Sequence, residues 1–200
     1  CIRRVWLDKH QVGQVKIEIS DFDQLLRTSG VEHEISVLTK LQQQHVVHKA
    51  YSIEHTRELM QQNVAVIYQA RLVDEQQDLI GYPDFLILHE SGDYQAADAK
   101  LSHSANKKGI QIQLGLYRRI LNNQLPALVF LGNGNTATLG DEVEPHVEQF
   151  ITAMQALLAM DEQPTVRYSH SKCRICPYFE QCTPEFEANE DISLIYGIHG

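Results

Sequence analysis

Five segments of the chain have helical spacing of their apolar residues, or start and stop signals of a helix, and each is predicted to be helical. They cover residues 20–30, 31–44, 55–63, 106–123 and 144–160. The first is expected to stop at Gly30, so that two separate helices follow one another along the chain. Gly109 and Gly115 weaken the helical pattern of the fourth segment.

In the middle of the chain the pattern changes to β-branched and alternating apolar residues, which is typical of strands. The predicted strands cover residues 64–72, 79–90, 94–102, 126–134 and 136–139. Polar turns separate the first three strands, so these are expected to form a meander. The order of helices, meander, helix, strand and helix predicts an α/β protein with a central mixed β-sheet flanked by helices.

The composition is that of a folded domain. The chain has 200 residues, 43% of them apolar, which is enough to bury a core. No apolar run has the length of a membrane span, and no secretory signal opens the sequence, so a cytoplasmic location without a membrane partner is expected. Because the sequence starts at a cysteine, we expect a piece of a longer protein. Residues 1–183 would form its domain, and residues 184–200 would begin a truncated segment or linker.

The net charge of −9 argues against a protein that coats DNA non-specifically, because phosphates favour basic surfaces. The acidic residues gather at 141–149 and 184–191, away from the basic pairs Arg3–Arg4, Lys107–Lys108 and Arg118–Arg119. An enzyme that holds divalent cations also needs carboxylates at its centre. The charge therefore leaves open an enzyme that engages a short stretch of a DNA strand.

Two of the predicted strands carry candidate catalytic residues. Asp84 follows Gly81 and Pro83 at the start of one strand, and Asp98 and Lys100 lie two apart on the next. Residues two apart on a strand share a face, so a hairpin would bring both carboxylates and the lysine together. Two carboxylates, with the carbonyl of Ala99 as a further oxygen, can hold a divalent cation that activates water. The same tripeptide is also common at exposed strand ends and in ordinary salt bridges.

Two further features point to the same chemistry. Gln113 and Tyr117 lie four apart on the predicted helix after these strands, hence on one face, where they can grip a nucleotide or steady Lys100. His33 lies early in the second predicted helix and is a candidate ligand for Mg²⁺ or Mn²⁺. The alternatives are an ordinary half-buried helix for the pair and a surface residue for the histidine.

The four cysteines are divided between the two ends of the chain. Cys173, Cys176 and Cys182 fall within one short segment, and Cys1 is at the opposite end. In a reducing compartment such a group more often binds metal than forms disulfides. Thiolates bind iron–sulfur clusters or zinc, and either centre would tie the chain ends together. Arg3, Arg4, Lys172 and Arg174 flank these cysteines. They would either present a positive surface to DNA or be ordinary solvated charges.

Taken in order, these motifs resemble a known family. G-x-x-H ending at His33, G-x-P-D ending at Asp84, D-x-K from Asp98 to Lys100 and Q-x-x-x-Y from Gln113 to Tyr117 are similar to the RecB-like branch of the PD-(D/E)XK nucleases. The cysteine segments at both ends look like those of the iron–sulfur members of that branch. These include CRISPR-associated exonucleases and AddB-type nuclease domains. With the cysteines, the resemblance extends over nearly the whole chain.

The resemblance implies a restriction-endonuclease-like fold closed by an iron–sulfur clasp. It implies a 4Fe–4S cluster held by Cys1, Cys173, Cys176 and Cys182, and Mg²⁺ or Mn²⁺ held by His33, Asp84, Asp98 and Ala99. The catalytic residues would be Asp84, Asp98, Lys100, Gln113 and Tyr117. The implied activity is a deoxyribonuclease, in particular a single-strand exonuclease, with a fused or associated helicase or other DNA-processing domain as a partner.

Two alternatives follow from the same residues. The chain can be a DNA-binding or adaptor module that holds a strand or a partner protein without cutting. The cysteines can hold zinc in place of the cluster, since their spacing alone does not separate the two. The retained set of acids and lysine favours the enzyme, because an idle site has no chemical need for all of them.

Overall fold

The computed structural model describes residues 1–10 and 20–195. The helices within these residues are α1 (Ile2–Lys9), α2 (Asp21–Gln42), α3 (Ile53–Gln61), α4 (Lys108–Leu121), α5 (Glu144–Leu158), α6 (His170–Cys173) and α7 (Phe179–Ala188). The strands are β1 (Val47–Lys49), β2 (Val66–Tyr68), β3 (Leu72–Asp74), β4 (Leu79–Gly81), β5 (Phe85–Leu88), β6 (Tyr94–Lys100), β7 (Ala127–Leu131) and β8 (Thr136–Leu139). Short 3₁₀ turns lie at Asp141–Val143 and Ile192–Leu194.

The chain divides into two compact units. One consists of residues 21–150, and the other of the two chain ends, residues 1–20 and 151–200. The predicted domain boundary at residue 183 stays a prediction, although α7 runs through that position. No helix in the described part of the chain is both long enough and apolar enough to span a membrane.

A six-stranded sheet forms the centre of residues 21–150. Its strand order is β1-β2-β5-β6-β7-β8, with parallel pairing of β1 with β2 and of β6 with β7, and antiparallel pairing elsewhere. The strands β3 and β4 form a separate antiparallel pair. The predicted α/β class with a mixed sheet flanked by helices is therefore confirmed.

The core on one face of this sheet lies between α2 and the central strands. Val66, Phe85 and Ala97 are completely buried there, and Val37 of α2 packs against them. Removing such apolar side chains from water is the dominant favourable contribution to folding. It fixes α2 across β6, the strand that carries two of the candidate catalytic residues.

The predicted stop at Gly30 is wrong, because α2 continues through this residue from Asp21 to Gln42. A glycine inside a helix costs about 1 kcal/mol relative to alanine. Gly30 needs no special backbone angle, and the burial of Val37 further along α2 offsets this cost. Packing thus overrides a local stop signal.

Two of the predicted strands are each divided in the structure. Residues 64–72 turn at Gln69, which has a left-handed φ of 51°, so that Leu72 starts β3 instead of continuing β2. Residues 79–90 contain both β4 and β5, which are separated by the loop at Tyr82–Asp84. Gly81 ends β4 against α4, and a Cβ at this position would lie 2.8 Å from the ring of Tyr117. The sequence pattern did not predict α1, β1, α6 or α7.

Candidate functional site

The pairing of β5 with β6 places Asp84 beside Asp98. Phe85 is opposite Ala97 in this antiparallel pair. Asp84, which directly precedes β5, therefore lies opposite Asp98, the residue after Ala97. The backbone N–H of Asp84 donates to Oδ1 of Asp98 at 3.0 Å, and the N–H of Ala99 donates to Oδ2 of Asp84 at 2.8 Å. Each carboxylate is therefore fixed by a backbone amide of the other strand, as the predicted hairpin requires.

Lys100 reaches the same point. Its Nζ lies 2.7 Å from Oδ2 of Asp98. The Asp98 side chain is only 1% exposed, whereas that of Lys100 is 24% exposed. The ammonium group therefore lies between a buried carboxylate and the solvent, where it can also donate to a bound phosphate or water.

Burial makes the charged form of both acids unfavourable. Burial, followed by the charge of Asp98, raises the pKa of Asp84 to about 7. Burial also raises the pKa of Asp98, and Lys100 acts in the opposite direction. A divalent cation bound between the two groups would favour their charged forms, and it would therefore lower both raised pKa values.

Glu34 is a third acid of this site that the sequence analysis missed. Its charge contributes to the raised pKa of both Asp84 and Asp98, and it lines a cleft together with Asp84. Its Oε1 accepts a hydrogen bond from Nε2 of Gln69 at 3.2 Å. Glu34 directly follows His33. If α2 had been predicted as one continuous helix, the position of Glu34 around the helix axis would have indicated that it belongs to the site.

His33 makes its hydrogen bond elsewhere in residues 21–150. Its Nε2 is 2.9 Å from the carbonyl oxygen of Phe130 in β7. The backbone N–H of Ala99 donates to the carboxylate of Asp84. That the carbonyl of Ala99 binds a metal stays a prediction. Among residues 1–10 and 20–195, no three His, Cys, Asp or Glu side chains are arranged to hold a metal ion. The assignment of His33 as a ligand stays a prediction.

Gln113 and Tyr117 meet across one turn of α4, as their spacing predicts. Nε2 of Gln113 donates to Oη of Tyr117 at 2.8 Å, and Oη donates to the carbonyl of Tyr82 at 3.1 Å. Burial raises the pKa of Tyr117, and the nearby charge of Asp98 adds to this effect, so the phenol keeps its proton. The pair therefore holds the loop that leads from β4 to Asp84.

All four cysteines line one cavity in the unit formed by the chain ends. Cys1 directly precedes α1, Cys173 ends α6, and Cys182 lies within α7. All four thiols are free, and Cys173 Sγ accepts a hydrogen bond from the N–H of Ser169 at 3.3 Å. The two cysteine segments, at opposite ends of the chain, thus face a common space.

Arg3 is a structural residue of this cavity and does not contribute to an exposed positive surface, contrary to our expectation. It is 2% exposed, donates from Nε to the carbonyl of Pro164, and forms a bidentate pair with Glu185 at 2.7 and 2.9 Å. Burial raises the pKa of the Cys182 thiol, and the hydrogen bond and charge from Arg3 act in the opposite direction. Arg4, Lys172 and Arg174 are exposed, as expected.

Arg118 and Arg119 are engaged in ion pairs. Arg118 is buried and contacts Asp141 at 2.7 Å, and Arg119 contacts Glu144 and Glu148. These arginines are therefore occupied in holding α4 to the residues that follow β8, and they are not free for phosphate.

Comparison of the sequence with models of known protein families gives no match, and comparison with curated proteins gives none either. Two clusters of side chains in the described residues therefore carry the chemistry of this chain. One cluster combines buried carboxylates with an ammonium group. The other combines four free thiols around a cavity.

Proposed function

We propose that this chain is a metal-dependent deoxyribonuclease of the RecB-like PD-(D/E)XK type that hydrolyses phosphodiester bonds of single-stranded DNA. The observation that carries the proposal is the meeting of Asp84, Asp98 and Lys100 at the β5–β6 pair. Two carboxylates can hold the cation of a metal-assisted phosphodiester hydrolysis, and an ammonium group beside them can stabilise charge that develops on the phosphate. The resemblance of the motifs to RecB-like nucleases supports the same reaction.

The donor set fits a hard divalent cation. When Asp84, Asp98 and the nearby Glu34 are ionised, they bring three negative charges against the one positive charge of Lys100, so the site has an excess of negative charge. Mg²⁺ is usually held by one or two carboxylates together with water and substrate phosphate oxygens, so a complete protein cage is not required. Bound there, Mg²⁺ or Mn²⁺ would polarise the phosphodiester and lower the pKa of a water molecule.

The residues of the chain have distinct parts in this reaction. Asp84 and Asp98 would hold the cation, and backbone amides fix the positions of both carboxylates. Lys100 donates to the attacking water or to a phosphate oxygen that gains charge in the transition state. Gln113 and Tyr117 position the loop before Asp84 through the carbonyl of Tyr82.

The four thiols fit an iron–sulfur cluster as the structural element of the second unit. Cys1, Cys173, Cys176 and Cys182 surround one cavity, and thiolates are the usual ligands of a 4Fe–4S cluster. Held by these residues, the cluster would join α1 to the segment from α6 to α7 and would have no part in hydrolysis. Zinc bound to the same thiols is the alternative, and measurement of the iron and zinc content of the protein distinguishes the two.

Cleavage of a labelled single-stranded oligonucleotide in Mn²⁺ tests the proposed activity. Lys100→Ala and Asp84→Asn should each reduce product formation by about 100-fold or more. Asp84→Asn retains an oxygen for the N–H of Ala99, which preserves the strand pair. Lys40→Ala and Asp78→Asn are matched controls, since both residues are exposed and neither belongs to the candidate site, and they should cut normally. Unchanged cleavage by both site variants would refute the proposal.

A further inference from the structure

A cleft of about 390 Å³ opens beside Asp84 in residues 21–150. This volume is within the range of cavities that take a small ligand such as a nucleotide. Its walls come from the segment after β1, the turn between β2 and β3, and the loop between β4 and β5. The cleft is therefore built from loops that converge on the edge of the candidate catalytic site.

Two tyrosine rings in these walls are unusually open to solvent. Tyr51 is 65% exposed and Tyr82 is 62% exposed, and both line the cleft. Tyr82 is two residues before Asp84, and its carbonyl is held by Oη of Tyr117 at 3.1 Å. Tyr51 stacks with His55 at a centroid distance of 5.5 Å. The Tyr51 ring and the backbone of Tyr82 are thus held by their neighbours, and both rings retain exposed area for a further flat partner.

Two cations accompany the tyrosines. Lys49 and Arg71 line the same cleft and are exposed. Within the described residues, neither forms a salt bridge with a carboxylate. Nζ of Lys49 is 5.9 Å from the ring centroid of Tyr51 and 5.8 Å from that of Tyr68. The rings therefore hold this ammonium group without neutralising its charge.

We propose that this cleft binds unpaired nucleotides of a DNA strand next to the phosphate that is cut. The bases stack on Tyr51 and Tyr82, and the phosphates follow Lys49 and Arg71. Aromatic platforms combined with a basic track are the general means by which proteins hold single strands without reading their sequence. Glu34 and Asp84 line the same cleft and repel phosphate, which directs the backbone to the basic wall. The position beside Asp84 rests on the proposed nuclease function, but strand binding does not require cleavage.

Fluorescence anisotropy with a labelled single-stranded oligonucleotide in EDTA tests this inference, because no strand is cut without metal. Tyr51→Ala and Tyr82→Ala should each weaken binding by about ten-fold, whereas Tyr51→Phe and Tyr82→Phe should bind like the wild type. Lys49→Ala should lower the slope of log K against log salt by about 0.7, the value for one phosphate contact on a single strand. Lys40→Ala is the matched control and should leave the slope unchanged.

A second oligonucleotide with abasic positions separates stacking from a general loss of fold. It should bind the wild type more weakly, and Tyr82→Ala should weaken it no further. Equal binding by the alanine and phenylalanine variants, or tighter binding of a duplex than of a single strand, would overturn the inference. If the strand binds in the expected pattern but is not cut in Mn²⁺, the nuclease proposal is refuted and the strand-binding cleft is supported. If the strand is cut but the tyrosine-to-alanine variants bind it like the wild type, the cleft is refuted and the nuclease proposal is supported.

Discussion

The ammonium group of Lys100 lies 2.7 Å from Oδ2 of Asp98, so a fully buried carboxylate and a partly exposed cation share the face of β6 that meets Asp84. In the proposed reaction these two residues have opposite effects on a bound divalent cation. Asp98 attracts the ion, and Lys100 repels it while it stabilises charge on the phosphate. Their substitution should therefore separate metal binding from catalysis.

Lys100→Ala should reduce cleavage by about 100-fold or more, the usual effect of removing a group that stabilises transition-state charge. Because a neighbouring positive charge has been removed, Mn²⁺ should bind this variant at least as tightly as the wild type. The thermal shift produced by Mn²⁺ measures that affinity independently of turnover. Weaker Mn²⁺ binding by Lys100→Ala than by the Lys40→Ala control would contradict this assignment of Lys100.

The raised pKa of Asp84 predicts how stability depends on pH without metal. Its folded pKa of about 7 is above the ordinary value, so the folded chain binds more protons than the unfolded chain between about pH 4 and 7. The contribution to the free energy of unfolding is therefore present at low pH and is lost as the pH rises to about 7. Urea unfolding in EDTA, followed by circular dichroism at pH 5 and pH 8, measures this loss.

Asp84→Asn should remove most of this pH dependence, and the exposed Asp78→Asn should retain it. Added Mn²⁺ should stabilise the wild type more at pH 8 than at pH 5, because the cation and the proton compete for the same carboxylates. Equal stabilisation at both pH values would show that the cation binds elsewhere.

Glu34→Gln tests the acid that the sequence did not reveal. The loss of its charge should weaken Mn²⁺ binding by about ten-fold, the lower range for a group that supports a metal site without being one of its principal ligands. Glu32→Gln changes an exposed acid of the same helix and should have little effect. The Mn²⁺ concentration that gives half-maximal cleavage provides the measurement. A similar value for both variants would exclude Glu34 from the site.

The parts of the site that depend on local periodicity could be predicted from the sequence. Asp98 and Lys100 share a strand face because side chains alternate, and Gln113 and Tyr117 meet because they are four apart on a helix. The approach of Asp84 required only that neighbouring strands form a hairpin. Each of these relations spans few residues or one turn, so local rules are sufficient.

The parts that depend on tertiary packing could not be predicted. Glu34 approaches the acids because Val37 packs α2 across the sheet, and the sequence around Gly30 indicated a break instead. Arg3 resembles any other basic residue in the sequence, yet burial and the carboxylate of Glu185 make it structural. Such pairs lie far apart along the chain, and no periodic pattern connects them.

Tyr117→Phe should destabilise the fold by about 1 kcal/mol, because it removes the hydroxyl that accepts from Gln113 and donates to the carbonyl of Tyr82. Gln113→Ala should cost a similar amount. The double variant should cost less than the two single costs combined, since both changes remove the same hydrogen bond. Denaturant unfolding of the four proteins gives this cycle, and simple additivity would show that the pair does not act as a unit.

Arg3→Ala should destabilise the unit formed by the chain ends by about 2 kcal/mol, because both carboxylate oxygens of Glu185 and the carbonyl of Pro164 lose Arg3 as their partner. Arg4→Ala is the matched control, as this neighbour is exposed and its nearest carboxylate oxygen, on Asp8, is 3.8 Å away. Trp6 is the single tryptophan of the chain and belongs to the same helix, so its fluorescence reports unfolding of this unit. Equal stability of the two variants would show that Arg3 is not a structural residue.

If the thiols hold an iron–sulfur cluster, Arg3→Ala should also lose its brown colour faster than Arg4→Ala, because Arg3 packs against Cys182.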